Sequence, residues 1–198
     1  METLQLILPE TYRQLAAFRS EDAYLPEMDW ELLVADFFPP TITDVVQNLS
    51  NTTAAFYGLM LKEAGNRFGT KIMDELSKAT LYALGKRTAG NITGNKPGLE
   101  KDARGIAVVA VAAIYNASPE YSFEFLQFEP QEVKMLIKGV DRYHRIAQQL
   151  DIGSWLTSPI SAFVQGINDG MSLPYRTSCE LKSINEQSHC LYELNISL

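Results

Sequence analysis

The apolar positions along this chain follow two rhythms, and the change from one to the other divides it. From Thr53 to Ala89 they recur at helical spacing: Phe56, Leu59, Met60, then Phe68, Ile72, Leu76 and Ala79. That i, i+3, i+4 pattern is one apolar stripe on a helix. Two glycines four residues apart, Gly65 and Gly69, interrupt it. Each costs about 1 kcal/mol relative to Ala in a helix interior, so the pair marks either a bend or a packing face for another element. From Tyr121 the period drops to two. Tyr121, Phe123 and Phe125 share one face, with Phe128 shifted to the other side, and after Glu129-Pro130 the residues Val133, Met135 and Ile137 alternate again. These two runs predict an antiparallel hairpin.

The remaining elements follow from punctuation. Pro9, Pro26 and Pro39-Pro40 break up the first 40 residues, leaving short helices over Tyr12–Phe18 and Trp30–Phe38. Tyr24, Trp30, Phe37 and Phe38 give this arm apolar surface to set on the main body, and it either covers that body or docks on a partner. Thr43-Asp44 can cap the next helix, which carries Val45, Val46 and Leu49; polar Asn48–Thr53 either breaks it or runs through. Gly85, Gly90 and the Gly94–Gly98 stretch predict the end of the helical region. Glu100–Asn116 has the valines of a strand and the length and alanines of a buried helix; helix is the assignment taken.

Gly139 opens a helix with Val140, Tyr143, Ile146, Ala147 and Leu150 on one side. A second, capped by Ser158 with Pro159 in its first turn, carries Ile160, Phe163, Val164 and Ile167 and ends at Gly170. Two closing strands, Leu173–Lys182 and His189–Ile196, flank a polar loop. The expected fold is therefore α+β: an N-terminal helical region, then β-β-α-α-β-β, with helices on one face of an antiparallel sheet. Residues 1–40 are expected as an N-terminal arm and 41–198 as the domain.

Composition narrows the partners. The chain has 198 residues and a net charge of −7, so it lacks the clustered Lys and Arg of a nucleic-acid groove or a polybasic membrane patch. No apolar run approaches the length of a bilayer span. The stretch METLQLILPETYRQ has no basic n-region, and a cytoplasmic protein is expected. Neither a G-x-S-x-G turn, nor H-E-x-x-H, nor a phosphate-binding glycine loop occurs. His144 lies on a helix between Tyr143 and Arg145, where a hydrogen-bonded side chain is expected before a catalytic base. Cys179 and Cys190 would approach each other if the last strands pair about Ser183–Ser188, and could then hold zinc or remain thiols. His189 and Cys190 are neighbours on a strand and point to opposite faces. No catalytic residue and no metal ligand is assigned.

Three stretches together resemble the 4-vinyl reductase domain and the TRAPP small subunits. EAGNRFGTKIMDEL matches their glycine-paired helix at Gly65, Gly69, Lys71, Ile72, Asp74 and Leu76. ISAFVQGINDGM resembles the helix with a G-x-x-x-G step, here Phe163, Gly166 and Gly170. YRTSCELKSINEQSHCLYELNI is similar to the closing hairpin, here Cys179, Cys190 and Tyr192. The family hairpin has a turn glycine, a shorter gap between cysteines and an upstream cysteine that this chain lacks, so zinc is not expected.

The resemblance implies a non-catalytic ligand-binding or assembly module. Relatives of this type are tied to chlorophyll synthesis, photosystem assembly and sensing of aromatic effectors, so an apolar or tetrapyrrole-type ligand (a chlorophyll precursor or bilin) and a link to photosynthetic complexes are expected. The alternatives are a TRAPP-like homodimeric scaffold or an accessory factor of a 4-vinyl reductase. Candidate ligand-binding residues are Phe123, Phe125, Trp155, Phe163 and Tyr175. The candidate homodimer interface is Gly65, Phe68, Gly69 and Ile72.

Overall fold

A computed structural model of the chain describes residues 8–198. Its four strands, β1 (Ser122–Phe128), β2 (Glu132–Val140), β3 (Arg176–Ile184) and β4 (His189–Ser197), form one antiparallel sheet in the order β1-β2-β4-β3. The period-two pattern decides which side faces inward. Val133, Met135 and Ile137 of β2 stand opposite Ile196, Leu194 and Tyr192 of β4, and all six are buried. Each such side chain contributes about 1.5–3 kcal/mol by leaving water, and a one-residue slip would turn all of them outward. The other face carries ion pairs, among them Lys138–Glu124 across β1 and β2.

The structure is therefore α+β with an antiparallel sheet and helices packed on it, as the alternation predicts. One detail differs. A bulge between Phe125 and Gln127 shifts the β1 register, so Phe128 pairs with Val133 and returns to the face shared by Phe123 and Phe125. Phe125 and Phe128 meet edge to face, with ring centroids 5.2 Å apart. The extra residue of the bulge cancels the slip that strict alternation implies.

Helices α5 (Ala103–Ala117) and α7 (Ile160–Met171) lie on the inner face, and α4 (Lys71–Asn95) packs along α7. The ambiguous valine-rich segment is the helix α5. Asp102 starts it by accepting from the amides of Arg104 and Gly105. The glycines of α4 and α7 set their spacing. A Cβ at Gly85 would lie 2.0 Å from the Phe163 carbonyl oxygen, and one at Gly166 would lie 2.1 Å from that of Tyr82. Gly85 is thus a backbone contact inside α4 and not its end; the helix runs on to Asn95.

Two other expected boundaries move. Pro159 takes the N-cap position of α7 and no side chain caps it, so Ser158 does not serve as the cap. Gly170 remains inside α7, and Ser172 closes the helix in the left-handed conformation.

The chain forms two compact units, Met1–Ser50 and Asn51–Leu198. In the first, α1 (Glu10–Gln14), a short 3-10 turn (Ala16–Arg19) and α2 (Trp30–Phe37) precede α3 (Ile42–Phe68). Tyr24 stacks on Trp30, and Tyr12 packs edge to face on Phe38. Buried Thr11 donates to the Pro40 carbonyl. Thr41 and Asp44 bond reciprocally at the start of α3, so the cap residue is Thr41, two positions before the Thr43 that the sequence suggests. The leader reading falls on residues outside the described ones up to Ile7, as does the side chain of Phe37.

In the second unit, α3 continues without a break through Asn51–Thr53 and stops at Gly69, whose φ of +93° suits glycine and whose amide donates to the Gly65 carbonyl. The long apolar stripe is therefore two helices, α3 and α4, joined by a tight turn. Gly65 is buried where α3 meets Met73 of α4. Helix α6 (Arg142–Gln149) follows β2 and lays Ile146 and Leu150 over Gly58 of α3.

Candidate functional site

The chemistry of the second unit collects where β2 ends and α6 begins. Asp141 sits at that junction and caps α6, accepting from the His144 amide at 2.9 Å. The same carboxylate accepts from the Tyr192 hydroxyl at 2.5 Å. Asp141 is 4% exposed and Tyr192 is 1% exposed. Pairing of β2 with β4 brings the two together, and the Asp141 amide donates to the Ser188 carbonyl across the β4 start. Ser188 holds φ of +64° there. Its hydroxyl meets His144 Nδ1 at 2.9 Å, while His144 Nε2 faces the Gln148 side chain at 3.2 Å. His144 is thus hydrogen-bonded through both ring nitrogens.

Above this junction lies a cavity of about 100 Å³. Tyr57 of α3, Tyr143 of α6, Leu156, and Leu181, Ile184 and Tyr192 of the sheet supply its walls. Tyr57 and Tyr143 meet edge to face at 5.0 Å, and the Tyr57 hydroxyl is bonded to the buried Ser77 of α4. The segment leading into α7 closes one side. Thr157 anchors it by donating from its amide and hydroxyl to Asp74 of α4, at 3.0 and 2.8 Å. The next residue, Ser158, lines the cavity with a buried hydroxyl that has no hydrogen-bond partner. A second cavity of about 70 Å³, between α4, α5 and α7, shares Tyr143 and Pro159 with the first.

Burial raises the phenols here. Tyr57 is pushed up to about 12, and Tyr143 and Tyr192 are raised as well; the charge of Asp141 adds to the shift at each. All three stay protonated at neutral pH and act as neutral hydrogen-bonding groups. Burial also pushes the thiol of Cys190 up to about 11 and that of Cys179 up to about 12. Neither is activated as a nucleophile. Cys179 pairs with Leu194, and Cys190 pairs with Ile184, so the cysteines are not cross-strand neighbours. His189 is exposed while Cys190 is buried, as their strand positions require. Among the described residues no group of three or more His, Cys, Asp or Glu is placed to hold a metal ion.

The residues singled out from sequence are scattered. Phe163 is buried and lines the second cavity. Phe123 is half-buried against the core, while Phe125 is 43% exposed on the same edge strand. Trp155 is 49% exposed on a 3-10 turn. Tyr175 is half-buried near the opposite edge of the sheet and donates to the Pro130 carbonyl. Of these five, Phe163 alone lines either of the two cavities described above. Gly65, Phe68, Gly69 and Ile72 gather at the α3–α4 turn, with Gly65 buried, Ile72 half-buried and Phe68 76% exposed.

Sequence reasoning passed over Asp141, Tyr57, Tyr143 and Tyr192 as site residues. An Asp just ahead of an amphipathic run is a helix-start signal and marks Asp141. Its meeting with Tyr192 depends on a strand pairing that no local pattern announces. No family model matches this chain, and no curated protein or solved structure matches it significantly.

Proposed function

We propose that this chain is a non-catalytic binding module that holds a small, largely apolar molecule between the α6–α7 region and the sheet, in a domain of the 4-vinyl reductase and TRAPP small-subunit type. The observation that carries the reading is the tyrosine-walled cavity with its buried, unpartnered Ser158 hydroxyl. Binding sites are concave, mostly apolar and furnished with a few placed polar groups, and a buried hydroxyl without a partner costs about 1–3 kcal/mol that a ligand can recover. The cavity volume favours a molecule about one ring in size. A tetrapyrrole exceeds that room, so the small-molecule branch of the expectation is the one taken forward.

The test is thermal unfolding of the whole chain with neutral one-ring and branched aliphatic compounds bearing one hydroxyl or carbonyl group. A ligand at a hundred times its Kd stabilises by about 2.7 kcal/mol, which raises Tm by about 5–11 °C in a chain of this size. No shift with any such compound, nor with small charged compounds of equal size, refutes the reading.

A second reading, a homodimeric scaffold, has its own support. Phe56, Leu59 and Met60 of α3 are 66%, 51% and 58% exposed, and Phe68 at the end of the same helix is 76% exposed. Clustered exposed apolar residues mark contact surfaces. Sedimentation of the wild type and of Phe56→Asp tests it: dimers abolished by the substitution support the scaffold, and a monomeric wild type removes it.

A further inference from the structure

Among the described residues Asp141 is the one acid that lines the tyrosine-walled cavity; His144 lines it too, with its ring nitrogens engaged by Ser188 and Gln148, and no Lys or Arg does. The adjacent Arg142 is turned away into a buried ion pair with Glu120. Asp141 itself forms no ion pair among the described residues. It accepts two hydrogen bonds, from the His144 amide and the Tyr192 hydroxyl. A carboxylate offers about four acceptor positions, so part of its hydrogen-bonding capacity is unused at 4% exposure. Burial raises Tyr57, Tyr121, Tyr143, Tyr192 and the Cys190 thiol, and Asp141 adds to the shift at each, with Arg142 opposing it at Tyr143. A buried carboxylate with no ion-pair partner is costly, the α6 N-terminus that it caps offsets part of that cost, and a counter-charge would offset more. Tyr57, Tyr143 and Tyr192 line the same cavity, and aromatic side chains attract cations most strongly where water is excluded.

We infer that the cavity takes a small organic cation, an alkylammonium or quaternary ammonium group, held by the tyrosine rings and balanced by Asp141. This deepens the small-molecule reading and rests on it. The aromatic walls suit the alkyl groups, the carboxylate suits the charge, and the Ser158 hydroxyl suits a polar tail. An anion meets the opposite charge, and a neutral molecule of the same shape gains only the apolar contact.

The experiment is calorimetry and thermal unfolding of the full chain with three compounds of nearly identical shape. They are choline, its neutral carbon analogue 3,3-dimethylbutan-1-ol, and the anion 3,3-dimethylbutanoate. Choline is expected to bind about tenfold or more tighter than the neutral analogue, with no binding of the anion. In Asp141→Asn, which keeps a helix-capping side chain, choline is expected to fall to the level of the neutral analogue. Where that variant fails to fold, the comparison of the three compounds on the wild type decides alone. Equal or tighter binding of the neutral analogue overturns the cation while leaving the small-molecule reading standing. Absence of binding by all three overturns the cation, and the wider neutral panel then decides the underlying reading separately.

Discussion

Replacing Gly166 with Ala tests the helix crossing on which the cavity walls depend. At this position a Cβ would lie 2.1 Å from the Tyr82 carbonyl oxygen and 3.1 Å from the Lys86 amide nitrogen. Ordinary contact begins at 3.4 Å, so along that line α7 and α4 must part by roughly 1.3 Å. The obstacle is backbone, and no rotamer change relieves it. A gap of 0.5–1 Å already forfeits a quarter to a half of the dispersion energy at each contact, and buried Leu81, Ala89, Val164 and Ile167 share this packing. Overpacking of this kind costs about 1–3 kcal/mol and occasionally more. Because the obstacle is backbone, the cost lies at the top of that range, and after the gain of about 1 kcal/mol in helix propensity a net loss of about 2 kcal/mol is expected. Gly90 is the control: it lies in α4 with nothing within 4 Å of an added Cβ. Gly90→Ala is expected to stabilise by about 0.5–1 kcal/mol. Urea unfolding at constant m reads both. A Gly166→Ala variant within about 0.5 kcal/mol of wild type, or equal losses at the two sites, would refute the backbone-contact reasoning.

Three smaller predictions follow from the same geometry. Gly65→Ala meets only the flexible Met73 thioether, so it should cost less than about 1 kcal/mol in the same urea assay. Asp102 is held below the usual carboxylate range by the Arg104 guanidinium and backbone amides. Its contribution is therefore complete above the unfolded carboxylate pKa of about 3.9 and is lost as pH falls below it. Asp102→Ala should cost about 1 kcal/mol at pH 7, and the difference from wild type should shrink below about pH 4 in acid unfolding curves. Both thiols are raised well above neutral, so native protein at pH 7.5 should react with iodoacetamide far more slowly than urea-unfolded chain; equal rates would contradict the burial of Cys190.

How much of this was legible in the sequence depends on the range of the interaction. Alternation in Tyr121–Phe125 and Val133–Ile137 made the first hairpin legible because period and face are local properties. Gly166 and Gly170 were marked only by resemblance to a G-x-x-x-G step, with Gly170 read as the helix end; both meet the backbone of α4. Gly85 carried no such mark, because a glycine in a polar stretch reads as a stop unless the partner backbone is known. The Phe128 face was misplaced by a bulge whose extra residue leaves no mark in composition. The aromatic candidates failed to converge for a related reason: Phe123 and Phe125 occupy one edge strand, and Tyr175 leads into the other. The cavity depends on Asp141 meeting Tyr192, a contact between residues 51 positions apart that only the β2–β4 register creates.

The most direct test of the cavity as a binding site is methyl-resolved NMR of the full chain titrated with choline and with its neutral analogue. The account predicts shifts confined to the methyl groups lining the cavity, those of Ala147, Leu156, Thr157, Leu181 and Ile184, with Ala107 and Val109 of buried α5 unchanged. Shifts confined instead to Leu59 and Met60 on the exposed face of α3, or none at saturating concentrations, would contradict it.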